Sequence, residues 1–306
     1  MKISVIIATY NRPNKIKLCL RSIISNHFYS YEIVVIDQSN DYQTKKEINK
    51  LKSRKIKYIT VNYKNKSKAL NLAIKNALGK ILVFTDDDCI VDKNWLKEIN
   101  NSFKSKHITG VTGKSLPYNQ RKDIDIFCPA IFNYKNGRII NKASYHATSI
   151  GFGNNMAFKK KVFEKIGYFK EWLGPGSVGC AAEDANFLLR TLVFGYKIMY
   201  NPKVIIFHNN LLSKDDFRKK LLGYKCGEVA CYGYLALKGH NFANDIISKN
   251  IKSLKEKVKI YLNSVLEFKK ISLKDFYYDV KELFYIIRGF IIAFYFAKKD
   301  PLGHSC

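Results

Sequence analysis

Three consecutive carboxylates, Asp86, Asp87 and Asp88, follow an apolar run of Ile81, Leu82, Val83 and Phe84 after a single Thr85. Neighbouring carboxylates repel one another unless a cation, an arginine or a proton relieves them, and a cluster of hard oxygens suits Mg²⁺ or Mn²⁺. A continuous apolar run bounded by polar residues reads as a strand buried on both faces of a parallel sheet, and ligands bind beyond the carboxyl ends of such strands. An isolated acidic triplet is more often a solvated turn, so the rest of the chain must decide. Asp37 repeats the arrangement, closing the apolar run at 33–36. Glu183 and Asp184 open a helical pattern behind a glycine-rich stretch at 173–179, and His208 ends an apolar run at 204–207.

The elements that must position these residues alternate in type. Residues 1–8 carry one lysine and too short an apolar run for a signal peptide, and read as a first buried strand. Ile16, Cys19, Leu20, Ile23 and Ile24 then fall on one face of an amphipathic helix. A helix through Ile48 and Leu51 leads to a strand over 56–61, and Ser67 is expected to cap a helix bearing Leu70, Ala73, Ile74, Ala77 and Leu78, stopped by Gly79. Strands alternating with helices of this length predict βαβ units and a parallel sheet.

Weak periodicity over 109–148 predicts short strands and loops. A short helix over 160–166 should stop at Gly167, the helix opened by Glu183 and Asp184 should run to Gly195, and two strands are expected around Asn201 and Pro202. From about residue 213 helices dominate. In the last, Leu273, Phe276, Tyr277, Val280, Leu283, Phe284 and Ile287 form one stripe. The mostly apolar run at 284–297 contains Arg288 and falls short of the ~20 residues needed to span a bilayer, so it is better suited to lie on one.

The 306 residues are 47% hydrophobic, enough for a real core rather than a disordered tail. Lys and Arg number 53 against 25 Asp and Glu, a formal charge of +28 that implies anionic partners: nucleic acid, an acidic membrane face or phosphorylated substrates. The seven cysteines, at 19, 89, 128, 180, 226, 231 and 306, are odd in number and form no CxxC pair. They indicate neither a zinc site nor a disulfide framework, and a reducing cytoplasm is the simplest setting.

Taken in order, SVIIATYNRP, the Asp after strand two, KSKALNLAI, LVFTDDD, GFGNNMAF, the LGPGS loop before AED, and GYKIMYNPKVIIFH resemble the family 2 glycosyltransferases of GT-A fold over roughly residues 3 to 240. The resemblance implies an α/β, Rossmann-like catalytic domain with a mostly parallel sheet, followed by a C-terminal helical region. Residues 1–110 would form its nucleotide-sugar half, 111–212 its acceptor-binding and catalytic half, and 213–306 a basic, aromatic helical region. It further implies an inverting, metal-dependent transfer of sugar, from a UDP-sugar first of all, to a hydroxyl of a glycan or lipid-linked acceptor in cell-surface polysaccharide or glycoconjugate synthesis.

By the same resemblance Thr9, Asn11, Arg12 and Asp37 would hold the base and ribose, and Lys68 and Asn71 would lie near the pyrophosphate. Asp86 and Asp87 would face the donor, Asp86 at the ribose, and Asp88, with Asp86 and His208, would hold Mn²⁺ or Mg²⁺. Gly153 and Asn154 would contact donor sugar or acceptor, and the 174–179 loop would close over the bound donor and exclude water. Asp184 would be the base that takes the acceptor proton, with Glu183 orienting the base or the acceptor, because inversion needs one carboxylate while the leaving diphosphate is stabilised by the metal. Two positions depart from the family pattern. Leu70 stands where Arg is frequent, leaving a phosphate contact to Lys66 or Lys68, and Cys180-Ala181-Ala182 stands where the loop is usually glycine-ending.

The expected partners are therefore a nucleotide sugar, a glycan or lipid-linked acceptor and an anionic membrane surface at the inner face of the plasma membrane, without nucleic acid. A sugar-nucleotide nucleotidyltransferase shares the nucleotide half but would need a Gly-rich basic signature soon after strand one, where TYNRPNK stands. A non-enzymatic basic protein binding nucleic acid or membrane accounts for the charge, but not for acids at strand ends.

Overall fold

The computed structural model describes residues 2–119, 126–143, 146–266 and 272–300. Residues 120–125 and 144–145 of the weakly periodic segment lie outside them, as do 267–271 and 301–306 of the C-terminal region. The described chain forms two compact units, one from the chain up to Glu171 with Asp184–Lys214, the other from Trp172–Glu183 with the chain from Asp215 onward.

In the first unit β1 (Ile3–Thr9), β2 (Tyr31–Asp37), β3 (Ile56–Thr60) and β4 (Ile81–Phe84) run parallel, in the order β3-β2-β1-β4. Helices α1 (Pro13–Ile24), α2 (Gln43–Asn49) and α3 (Lys66–Asn76) link them. Val, Ile and Leu fill both faces of β1, β2 and β4, which explains the unbroken apolar runs. After β5 (Cys89–Val91) and α4 (Trp95–Ser102) come β6 (Ile108–Pro117), β7 (Ile126–Phe127) and β8 (Arg138–Ile140). Next are β9 (Met156–Lys159), α5 (Lys160–Ile166), α6 (Glu183–Val193), β10 (Lys197–His208) and β11 (Leu212–Ser213). The sheet continues β4-β9-β6-β10-β5, with β8 also on β10. Because β9 is antiparallel to both β4 and β6, and β10 is parallel to β6, the carboxyl ends of β1, β2, β4, β6 and β10 share one edge.

Three local expectations give way. Asn65, not Ser67, caps α3: its Oδ1 accepts the Lys68 N–H at 2.9 Å, and Ser67 is buried inside the first turn. Where short strands were expected, β6 runs for ten residues. Its glycines hid it, since a Cβ on Gly110 would lie 2.3 Å from the Phe158 ring and one on Gly113 2.2 Å from the Val204 carbonyl. The two strands around Asn201 and Pro202 are one, β10, whose register on β6 slips between Asn201 and Ile205. Pro202 lacks an N–H for a ladder, and the bulge leaves it unpaired. Asn155 Nδ2 donates there to Lys114 O at 2.8 Å and Val204 O at 3.0 Å, while its Oδ1 accepts the Trp95 indole N–H at 2.9 Å.

The second unit contains α7 (Lys214–Leu237), α8 (Phe242–Leu266) and α9 (Leu273–Lys299). Helices α7 and α9 approach closely at glycines: a Cβ on Gly233 would meet Ala293 at 2.9 Å, and one on Gly289 would meet the Cys226 carbonyl at 2.8 Å. Lys257 of α8 bridges Asp279 and Glu282 of α9, at 2.6 Å each. Residues 172–182, which the sequence placed in the catalytic half, pack with these helices because Trp172 stacks on Phe296 at 4.7 Å and lies 5.4 Å from Tyr234.

Candidate active site

The shared strand edge gathers the acids. At the end of β1, Thr9 Oγ1 donates to Asp87 Oδ2 at 2.7 Å. In the turn that follows, Arg12 Nη1 reaches Asp87 Oδ1 at 3.0 Å and Asp88 Oδ2 at 3.1 Å. Lys66, in the first turn of α3, pairs with Asp86 Oδ1 at 2.7 Å. His208, the last residue of β10, places Nε2 3.3 Å from Asp88 Oδ1, and its Nδ1 lies 3.6 Å from Cys128 Sγ. The Asn209 N–H donates to the Asp88 carbonyl at 2.7 Å, and Lys15 Nζ to the Asn209 carbonyl at 2.7 Å, tying the ends of β4 and β10 to α1. Each carboxylate of the triplet thus faces a basic side chain, which relieves the repulsion inherent in three adjacent acids.

Burial pushes the Asp87 carboxyl above the usual range, against the pull of Arg12. The same burial acts on Asp88, but the His208 ring and Arg12 outweigh it and hold Asp88 low. Burial alone would lower His208; the facing Asp88 carboxylate and the Cys128 thiol raise it to about 9.

A divalent cation fits this corner. Asp88, Cys89 and His208 are all buried and offer ligand atoms within 4.8 Å of one another. Asp88 Oδ1 has the imidazole nearby but no well-formed hydrogen bond, an orphaned buried oxygen of the kind a cation satisfies. Burial holds the Cys89 thiol well above its usual range, and a sulfur is a soft donor that hard cations do not favour. A carboxylate and an imidazole, completed by diphosphate oxygens, form a hard set suited to Mn²⁺ or Mg²⁺. Asp86, expected among the metal ligands, lies outside this cluster and is engaged by Lys66.

Other expected site residues are placed as follows. Asp37, at the end of β2, accepts the Tyr58 hydroxyl at 2.5 Å and the Ser39 N–H at 2.9 Å. Asn11 takes a left-handed φ of 51° and its N–H donates to Ser39 Oγ at 2.8 Å, joining the β1 turn to the β2 loop. Lys68 points its ammonium over the Tyr63 ring, 4.3 Å from the centroid. Asn71 is buried, donating to the Phe169 carbonyl at 3.0 Å and Glu171 Oε1 at 3.1 Å and accepting the Phe169 N–H at 3.0 Å. Since Phe84 pairs with Met156, the Gly153–Asn155 turn lies beside the carboxyl end of β4. There the Gly153 N–H donates to Asp184 Oδ2 at 2.6 Å, and Asp184 Oδ1 accepts the Ala185 N–H at 2.8 Å. Asn154 is buried with its Oδ1 lacking a hydrogen-bond partner, and Glu183 is buried. Sequence reasoning gave no role to Lys15, Tyr58 or Cys128 and left Lys66 an alternative to Lys68; only the helical phase of α3 separates the two lysines.

The family model described as Glycosyl transferase family 2 matches residues 4–167, and the chain belongs to that family. It is a transferase with a GT-A type α/β catalytic domain. The O-antigen chain rhamnosyltransferase RfbN of Salmonella typhimurium is 26% identical over 227 residues, 72% of this chain and 70% of that protein. The poly(ribitol-phosphate) beta-N-acetylglucosaminyltransferase TarS of Staphylococcus aureus is 29% identical over 135 residues, 40% of this chain but 24% of TarS. In structure, the mannosyltransferase PcManGT of Pyrobaculum calidifontis, solved with GDP-Man and Mn²⁺, superimposes with a TM-score of 0.59 at 17% identity, covering 100% of this chain and 88% of that one. TarS residues 1–349 give a TM-score of 0.55 at 21% identity, covering 75% of this chain and 66% of that one.

Proposed function

We propose that this chain transfers a sugar, with inversion, from a UDP-sugar to a hydroxyl of a glycan or lipid-linked acceptor in the synthesis of a cell-surface polysaccharide. One observation carries the reading: the β4 acids, the β9 turn and Asp184 form a continuous arrangement, linked by strand register and by the Gly153–Asp184 hydrogen bond. Thr9, Asn11, Arg12 and Asp37 would bind the nucleoside, with Asp37 oriented by Tyr58 and Ser39. Asp86 and Asp87 would face the donor, with Lys66 and Lys68 near its phosphates and Asn71 bracing the 169–171 segment beside them. Asp88 and His208 would hold Mn²⁺ or Mg²⁺, which would neutralise the diphosphate as it leaves. Asp184, fixed by two backbone N–H groups, keeps lone pairs for an acceptor hydroxyl and would take its proton, with Glu183 orienting the attack. Asn154 Oδ1 offers a sugar hydroxyl an acceptor that no protein donor meets.

Calorimetry against a panel of nucleotide sugars, with Mn²⁺ or Mg²⁺ and then with EDTA, tests the donor and metal assignments together. Saturable binding abolished by chelator and by Asp88→Ala is expected; equally tight binding under all three conditions would sink the metal role.

The same proposal places the enzyme on the anionic inner leaflet through α9. No helix among the described residues is long and apolar enough to cross a membrane. Yet α9 exposes an apolar face along its length, with Leu273 84%, Phe284 63%, Ile291 64% and Phe294 62% accessible, while Ile286, Gly289, Ile292 and Ala293 are buried. Lys274, Lys281, Lys298 and Lys299 lie on the same helix, and each cation near an anionic leaflet contributes about 1 kcal/mol. Flotation with phosphatidylserine vesicles should recover the protein in a salt-sensitive way; equal flotation with phosphatidylcholine alone, or none, would refute the assignment.

A further inference from the structure

We propose that Cys180 and Cys226 are a reversible disulfide-forming pair, a modification site that fastens the 172–182 loop to α7. The two thiols are 46 positions apart in sequence but adjacent in the second unit. Helix α7 offers the loop a groove at Gly223 and Gly227: a Cβ on Gly227 would lie 2.7 Å from the Ala181 carbonyl carbon, and one on Gly223 3.7 Å from Cys180 Cβ. Cys226 follows Gly223 by three positions and so shares its face of the helix. The two thiols interact, each shifting the acidity of the other.

The loop is held in this seat from several sides. The Gly179 N–H donates to the Trp172 carbonyl at 2.8 Å, the Gly174 N–H to the Ala181 carbonyl at 3.1 Å, and Arg288 Nη2 to the Val178 carbonyl at 2.9 Å. Cys180 and Ala182 take left-handed φ values of 64° and 69°, conformations that persist only when surroundings impose them. Cys180 is partly exposed and Cys226 is fully buried, so a reagent meets one sulfur and the other stands behind it to resolve the adduct. The neighbouring Cys226 thiol, and then the Arg288 guanidinium, draw the Cys180 thiol down to about 6 against the opposing effect of burial, and Cys226 moves up as its partner.

The oxidant is a low-molecular-weight disulfide, RSSR. The Cys180 thiolate attacks one of its sulfurs, breaking the S–S bond and expelling RS⁻. Cys226 gives up its proton as its sulfur attacks Cys180 Sγ, forming the intrachain disulfide and releasing a second RS⁻, and protonation yields two RSH in all. Two electrons pass from the protein dithiol to the reagent, and excess reductant reverses the exchange.

The test uses the full chain, reduced and desalted, then exposed to oxidised glutathione, quenched with an alkylating agent and mapped by mass under non-reducing conditions. The expected product is lighter by two hydrogens, with peptides containing Cys180 and Cys226 joined, while Cys226→Ala accumulates a glutathione adduct at Cys180 instead. Lowered basicity raises the thiolate fraction but weakens the nucleophile, so Cys180 should be alkylated ~10-fold faster than a cysteine in an unstructured peptide at pH 6 and only ~2-fold faster at pH 7. A stable glutathione adduct on wild-type Cys180 without the cross-link, or alkylation no faster than the peptide at pH 6, overturns the proposal; the wild-type result decides it without any variant.

Discussion

Replacing Gly153 by alanine should damage turnover while sparing the donor site. The backbone at 153 is ordinary, and the obstacle is steric: an added Cβ would lie 2.9 Å from both Asp184 Cβ and Oδ2 and 3.2 Å from Cγ. Unstrained contacts begin near 3.4 Å, so the carboxylate must retreat by roughly half an ångström or more, loosening a 2.6 Å charge-assisted bond from the Gly153 N–H. Losing such a bond costs ~1.5–3 kcal/mol, and misplacing a reacting group by ~1 Å costs ~100-fold in rate. The expected kcat is therefore ~10–100-fold below wild type, short of the ~10²–10⁴-fold loss for Asp184→Asn, which removes the base itself. The Asp86–Asp88 cluster keeps its own partners, so donor Kd should stay within about twofold. Nucleoside diphosphate release with the donor identified by calorimetry measures the first quantity and titration the second, with circular dichroism to confirm the fold. If Gly153→Ala turned over within twofold of wild type, or lost donor affinity in step with rate, the assignment of Asp184 would fail.

Arg12→Ala removes the cation shared by Asp87 and Asp88. Because that arginine is 47% exposed, the cost should be ~1–2 kcal/mol rather than the ~3–5 kcal/mol of a fully buried pair, and the drop in Tm measured in EDTA should narrow when Mn²⁺ is added. An unchanged drop would mean that metal and arginine do not compete for the same carboxylates. Asn155→Leu should destabilise the fold by ~3 kcal/mol or more, since it strands the Trp95 indole N–H and leaves two carbonyls at the β10 bulge without their amide donor; urea unfolding within ~1 kcal/mol of wild type would contradict that role.

What could be read in the sequence was whatever local spacing dictates. Acids at strand ends follow from the strands themselves, so Asp37 and the Asp86–Asp88 triplet sit where the apolar runs put them. The choice between Lys66 and Lys68 was not legible, because it depends on where α3 begins: with Asn65 as cap, Lys66 turns to Asp86 and Lys68 to Tyr63. Strand β10 was divided in two at Asn201 and Pro202 because a side chain 46 positions earlier, Asn155, satisfies the carbonyls at its bulge. Trp172 carries no local signal that its ring will stack on Phe296.

Helix α9 shows the same limit from the other side. Periodicity picked out Leu273, Phe276, Tyr277, Val280, Leu283, Phe284 and Ile287 as one stripe, and apolar stripes are usually core. The structure exposes most of that stripe and buries the small-residue side around Gly289 and Ala293, because close approach to α7 requires residues that lack bulk there. In a helix whose apolar residues extend beyond one stripe, as Ile286, Ile292 and Ala293 do here, period alone cannot say which face is covered. The backbone of α7, approaching Gly289 to within contact distance, makes that choice and leaves the aromatic side open.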